Sequence, residues 1–162
     1  MDIKEYLEGF RKVKIVANRQ LDKYYINKCG VIIALKRRTL QILKPKLADN
    51  GYYCVGLRDE TGKRKYYSIH RLVALTFLKN PRGNKKYVNH IDGDKTNNYV
   101  GNLEWVTASE NALHAVEHGL CDMYLRSGTL YKSGVKIGEF KKFKDASEYV
   151  ARECNCSVDT LQ

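Results

Sequence analysis

The sequence predicts an α+β fold, and three observations carry that prediction. Between residues 23 and 69, runs rich in Tyr, Val and Ile are separated by turn signals. Residues 87–119 read as strand, polar loop, strand, helix, and residues 137–162 end in a partial helix-turn-helix outline. With 162 residues and 43% hydrophobic content, the chain can bury a core as one medium domain or two small ones. Its longest apolar run, Val31 to Leu35, is far shorter than the ~20 residues that a membrane span needs. The opening Met1-Asp2-Ile3-Lys4-Glu5 lacks the apolar centre of a secretion signal. The expectation is a soluble, cytoplasmic protein with no membrane partner.

Taken in order, Tyr6, Leu7, Phe10 and Val13 have helical spacing and predict a short amphipathic helix. Tyr24-Tyr25-Ile26 and the run from Val31 to Leu35 flank Asn27-Lys28-Cys29-Gly30, and together they predict a hairpin. Asp49-Asn50-Gly51 precedes a strand at 52–57, and the turn from Asp59 to Lys63 precedes another at 65–69. Residues 23–69 are therefore expected as one small antiparallel sheet. A buried helix follows from His70, which anchors its start, to Leu78, and Asn80-Pro81-Arg82-Gly83 stops it. These elements make an N-terminal domain, 1–86. Thr107 and Glu110 have capping-box spacing, so the helix they open should run to about His118 and end at Gly119. That helix closes a core at 87–120. Ser127-Gly128 and Ser133-Gly134 mark 121–136 as a linker. A strand at 137–140, a helix from Asp145 through Cys154 and a second helix capped by Ser157 complete the segment 137–162.

The formal charge of +11 is unevenly spread. Residues 23–86 hold 16 basic and 3 acidic side chains, whereas residues 87–120 hold 1 and 5. A basic block beside an acidic one suggests a polyanion grip next to a different task. Arg37, Arg38, Lys44, Lys46, Lys63, Arg64 and Lys65 fall at or near strand ends and turns, and Arg71 and Lys95 extend the set. Tyrosine pairs at 24–25, 52–53 and 66–67 place one ring on each strand face, where the open ones could stack on sugars or bases. The 5 cysteines lack Cys-x-x-Cys spacing and read as free thiols, so no structural zinc is expected.

The chemistry concentrates at 87–111. His90 ends the first strand beside Asn89, Asn102 precedes the second strand, and Asn111 lies in the first turn of the helix. A histidine flanked by amide oxygens could combine one base with one hard cation. Phosphodiester cleavage asks for a base for water, a Lewis acid for the phosphate and stabilisation of the leaving 3′-oxygen. Asp92-Gly93-Asp94 lacks the rest of a calcium loop. His114 and His118 share a helix face but have no companion Glu motif. Asn97-Asn98 read as loop residues that satisfy local backbone.

The run from Tyr87 to Asn111, Tyr-Val-Asn-His-Ile-Asp-Gly-Asp-Lys-Thr-Asn-Asn-Tyr-Val-Gly-Asn-Leu-Glu-Trp-Val-Thr-Ala-Ser-Glu-Asn, closely resembles the HNH homing endonucleases of phages and introns. His-Arg-Leu-Val-Ala-Leu-Thr-Phe at 70–77 is similar to the helix just upstream in that family. The hairpin at 24–32 is similar to its DNA-gripping strands, and 137–162 to its C-terminal DNA-binding segment. The resemblance implies a ββα-metal nuclease core. His90 would be the general base, and Asn89 and Asn111 would hold one divalent cation, Mg²⁺ or in its place Mn²⁺. Asn102 would brace the loop by backbone hydrogen bonds and keep His90 aimed. The acidic segment would attract the cation. Position 89 is Asn where many relatives carry Asp. The implied function is site-specific, metal-dependent hydrolysis of double-stranded DNA by a monomer that nicks one strand, in the host cytoplasm if phage-encoded. The alternative is a non-cleaving DNA-binding protein derived from such an enzyme.

Overall fold

The computed structural model describes residues 7–14, 20–37, 39–59, 61–79, 83–118, 120, 123–126, 128–141 and 143–153. The first element departs from the helical spacing that the sequence suggested. Phe10–Lys14 is a strand, β1, and it pairs antiparallel with β2, Gln20–Asn27. Gly9, at φ 81°, interrupts any helix just upstream. So short a helix is marginal by itself, whereas a strand completes its hydrogen bonds on a neighbour. Tyr6, the first residue of the expected helix, lies outside the described residues.

β3, Ile32–Lys36, and β4, Thr39–Ile42, extend the sheet in the order β1-β2-β3-β4. The expected single sheet is two. β5, Lys46–Leu47, β6, Tyr53–Arg58, and β7, Arg64–Ser68, make a separate antiparallel sheet. Pro45 stands between the two sheets and has no N–H to continue a ladder. The Arg58 amide donates to the Tyr24 hydroxyl oxygen at 3.0 Å and ties β6 to β2.

Helix α1, Ile69–Phe77, buries Ile69, Leu72, Val73 and Ala74 against β1, β2, β6 and β7. With Val13, Leu21, Tyr24, Ile26, Ile32, Ile33, Ala34, Val55 and Leu57, they make up the buried apolar core around this helix. The hairpin turn at 27–30 forms as expected. Asn27 Oδ1 accepts from the amides of Cys29 and Val31, at 3.0 and 2.9 Å. The turn meets the later loop where the Val100 amide donates to the Lys28 carbonyl at 2.9 Å.

Strands β8, Tyr87–His90, and β9, Leu103–Val106, pair with each other, and a 3₁₀ turn at Val100–Asn102 leads into β9. The chain divides into two compact units. One comprises Met1–Asn80 with His90–Glu104, and the other Pro81–Asn89 with Trp105–Gln162.

In the second unit, α2, Ala108–Glu117, opens with the expected capping box. Thr107 Oγ1 accepts from the Glu110 amide at 3.2 Å, and Glu110 Oε2 accepts from the Thr107 amide at 2.7 Å. Residues 121–136, read as a linker, instead supply strands. β10, Met123–Arg126, β11, Thr129–Lys132, and β12, Val135–Glu139, form an antiparallel sheet. Ser133 and Gly134 both have positive φ, 49° and 81°, as a two-residue hairpin turn requires. Helix α3, Phe143–Glu153, follows. Ala112, Leu130 and Val150 form the centre of this unit, with Val116, Phe140 and Tyr149 packed around them. The expected second helix of a helix-turn-helix, with Cys154, Cys156 and Ser157, lies outside the described residues, as do Cys121 and Gly119. Cys29 and Cys54 are free thiols. Among the described residues no helix is long and apolar enough to cross a membrane.

Gly30 separates two costs that a substitution brings. It and Gly62 share a left-handed φ, 82° and 83°, but a Cβ on Gly30 would lie 2.7 Å from Ile69 Cγ2, whereas none would be met at Gly62. Gly62→Ala should lose about 1–2 kcal/mol of stability from backbone strain. Gly30→Ala should lose at least about 1 kcal/mol more from overpacking. Urea denaturation of the two variants checks this, and equal losses would show that the turn is not packed against α1.

Candidate active site

His90 sits at the end of β8 and is buried with Val88 and Asn89. The loop that follows is polar, and its hydrogen bonds close on Asn102. The Asp92 amide donates to Asn102 Oδ1 at 3.0 Å. Asn102 Nδ2 donates to Asp92 Oδ1 at 2.8 Å and to the Asn97 carbonyl at 3.0 Å. The Ile91 amide donates to the Asn102 carbonyl at 2.9 Å. Inside the loop, Asp92 Oδ1 accepts from the Asp94 amide and Asp92 Oδ2 from Asn97 Nδ2, at 2.9 and 2.7 Å. Asp94 Oδ1 accepts from the amide and hydroxyl of Thr96, at 2.8 and 2.7 Å. These bonds hold both carboxyls below the usual carboxylate range. For Asp92 the Asn97 and Asn102 amides contribute most, and for Asp94 the Thr96 hydroxyl does.

The side chain that meets His90 is Asn98, which is also buried. Asn98 Nδ2 donates to the Thr96 carbonyl at 3.2 Å, which turns Oδ1 toward His90 Nε2 at 3.3 Å. An amide oxygen only accepts, so Nε2 carries the proton and Nδ1 of the neutral ring keeps its lone pair. Burial lowers the His90 pKa from its ordinary value, while Asn98, Asp92 and Asp94 oppose that shift. The ring is therefore neutral, and able to accept a proton, at neutral pH.

Two further rings pack against it. The His70 centroid lies 5.1 Å from that of His90 in an edge-on arrangement, and the Tyr52 centroid lies 4.6 Å from His70 and 5.8 Å from His90. Burial, and then the charges of His90 and Arg71, push the His70 imidazole down from 6.5 to about 3.

The remaining sequence-predicted residues are spread over the fold. Asn89, buried on β8, and Asn111, half-buried in the first turn of α2, both belong to the second unit. Arg37 is exposed in the β3–β4 turn at φ 55°, and Arg38 lies outside the described residues. Lys44 and Lys46 are exposed around the start of β5. Lys63, Arg64 and Lys65 are exposed where β7 begins. The Arg64 guanidinium lies over Gly56 and 5.0 Å from the Tyr66 ring centroid, and Lys65 Nζ lies 5.9 Å from that of Tyr67. Arg71 is half-buried on α1. Lys95 Nζ donates to the Asn50 carbonyl at 3.3 Å and lies 5.1 Å from the Tyr52 ring centroid. His114 and His118 stack at 3.8 Å, and His118 Nδ1 lies 3.0 Å from the carbonyl of His114, where an N–H would donate. Among the described residues, no three His, Cys, Asp or Glu side chains gather into a metal cluster.

The sequence reading missed Asn98, Tyr52 and the packing role of His70. Within Asn97-Asn98 the first residue serves the loop, and only burial distinguishes the second.

A family model described as HNH endonuclease matches residues 67–113. Residues 67–113 are thus similar to an HNH endonuclease domain. It is 51% identical over 100 residues to the uncharacterized HNH endonuclease L247 of Acanthamoeba polyphaga mimivirus, covering 60% of this chain and 25% of that protein. It is 33% identical over 96 residues to the DNA endonuclease I-HmuI of Bacillus phage SP01, covering 59% of this chain and 53% of the relative. The match thus spans from a quarter to about half of the length of these relatives. A solved structure described as DNA binding and cleavage by the HNH homing endonuclease I-HmuI superposes with a TM-score of 0.55 at 31% identity, covering 67% of this chain and 60% of that one.

His70 makes stability depend on pH. Its ring binds a proton at 6.5 in the unfolded chain but only near 3 in the folded one. The stabilisation is complete above 6.5 and declines as the pH falls from there toward 3. Stability should drop by up to about 1.4 kcal/mol per pH unit in that window. His70→Phe should lack this slope in urea melts taken across it. Equal slopes for the two proteins would contradict the buried neutral ring.

Proposed function

We propose that this chain is a metal-dependent DNA endonuclease of the homing type, with His90 as general base. The observation that carries the reading is the buried His90 ring, whose Nε2 faces Asn98 and whose Nδ1 is left as the lone pair. The matches to the HNH family model and to I-HmuI support the same chemistry. The basic strands of residues 23–86 hold double-stranded DNA. Arg37, Arg38, Lys44, Lys46, Lys63, Arg64, Lys65, Arg71 and Lys95 neutralise phosphates or reach bases.

Asn89 and Asn111 would hold one Mg²⁺, which Mn²⁺ could replace. Their donor chemistry fits a hard cation, which takes one or two protein oxygens together with waters and substrate phosphate. Neutral amides add no charge of their own, so a cation here would depend on the DNA phosphate as well. When bound, it supplies polarisation of the phosphate oxygens and stabilisation of the leaving 3′-oxygen. His90 Nδ1 takes a proton from water as the water oxygen bonds to phosphorus and the bond to the 3′-oxygen breaks. The products are a 5′-phosphate and, once solvent protonates the leaving 3′-oxygen, a 3′-hydroxyl. Asn102 keeps the loop closed around this base. The chain acts as a monomer and nicks one strand.

With Mg²⁺, wild type should convert supercoiled plasmid to open circles, and a chelator should stop it. His90→Ala should cut at least about 100-fold more slowly while binding DNA equally well. A wild type that binds DNA but never cuts it, with Mg²⁺ or Mn²⁺, overturns the reading in favour of a DNA-binding protein that has lost cleavage.

A further inference from the structure

His70 has no part in the hydrolysis as described, yet it is buried against the base. Its Nδ1 is buried without a hydrogen-bond partner. A phenyl ring would fill such a place without leaving a polar atom unsatisfied. The neighbours of His70 are rings. It packs on Tyr52 and edge-on against His90, and Tyr52 also packs on His90 and carries Lys95 over its face.

His90 needs such walls. The torsion that rotates a histidine ring is broad and roughly two-fold, so it defines the ring plane poorly. Among the described residues, the side-chain hydrogen bond to that ring, from Nε2 to Asn98, is long at 3.3 Å and restrains it weakly. A flip would exchange the ring edges and remove the lone pair from its place.

We propose that His70, together with Tyr52, is a positioning residue that fixes the plane of the His90 imidazole, so that Nε2 stays on Asn98 and Nδ1 stays free to take a proton. The inference rests on His90 being the base. His70 suits the task because its own ring stays neutral. It lies in the first turn of α1, where burial, and then the charges of His90 and Arg71, oppose protonation. When His90 gains a proton, no second cation develops beside it on His70.

The test measures kcat and KM for nicking of supercoiled plasmid with Mg²⁺, thermal stability, and the ¹⁵N resonances of the His90 ring in the free protein. Wild type, His70→Ala, His70→Phe and Tyr52→Leu are compared. His70→Ala should lose at least about tenfold in kcat with KM within about twofold. Its His90 ring should change from a single Nε2–H tautomer to a mixture. His70→Phe, which restores a neutral ring, should recover most of kcat and the single tautomer. If His70→Ala is too unstable to assay, Tyr52→Leu should show the same split between kcat and KM and the same mixture. Wild-type kcat with a single tautomer in His70→Ala overturns the proposal, and so does a His70→Phe variant as slow as His70→Ala. A wild type that does not cut, but whose His90 tautomer mixes only when His70 is truncated, leaves the ring packing standing and removes the hydrolysis reading.

Discussion

The side-chain amide of Asn102 spans the loop between β8 and β9, and the geometry around His90 depends on it. One oxygen and one nitrogen close three hydrogen bonds, to the Asp92 amide, the Asp92 carboxylate and the Asn97 carbonyl. A loop this polar has no apolar core to hold it, so side-chain bonds must define its path. Once Asn102 pins Asp92 and Asn97, Asp94 and Thr96 close a smaller turn within it. The Thr96 carbonyl then orients the Asn98 amide toward His90. Orientation thus passes from Asn102 to the imidazole through short-range bonds, with no direct contact between the two side chains required.

The same bonds change the meaning of the acidic segment. Residues 87–120 carry a net negative charge, which the sequence reading assigned to attraction of a cation. In the structure Asp92, Asp94 and Glu110 already have partners. Asp92 uses both oxygens within the loop, Asp94 binds Thr96, and Glu110 caps α2 and pairs with Lys85 at 3.3 Å. Their charges still bear on the imidazole, since Asp92 and Asp94 both favour its protonated form. Asp92 and Asp94 therefore build the loop and bear on the His90 imidazole, and Glu110 builds the helix start.

Much of this was legible in the sequence, for local reasons. Asn27 to Gly30 carried the signal of a turn, and the side-chain oxygen of Asn27 caps that turn. Thr107 and Glu110 signalled a helix start, and both reciprocal bonds form. What was not legible depends on packing between segments distant in sequence. The strand at Phe10 shows helical spacing, and only its pairing with β2 decides its conformation. The Ser-Gly pairs of 121–136 read as linker because their composition suits a flexible chain and a tight hairpin equally well. Asn98, His70 and Tyr52 are drawn from three separate elements, and nothing in their own neighbourhoods says that they surround one imidazole.

Amide hydrogen exchange at Asp92 tests the loop brace most directly. That amide lies on an exposed residue, and its partner is Asn102 Oδ1. Exchange there should be slow in wild type and lose that protection in Asn102→Ala, with strands β2 and β3 still protected. Exchange at the unprotected rate in wild type would mean that Asn102 does not hold the loop, and the orientation of His90 would need another cause.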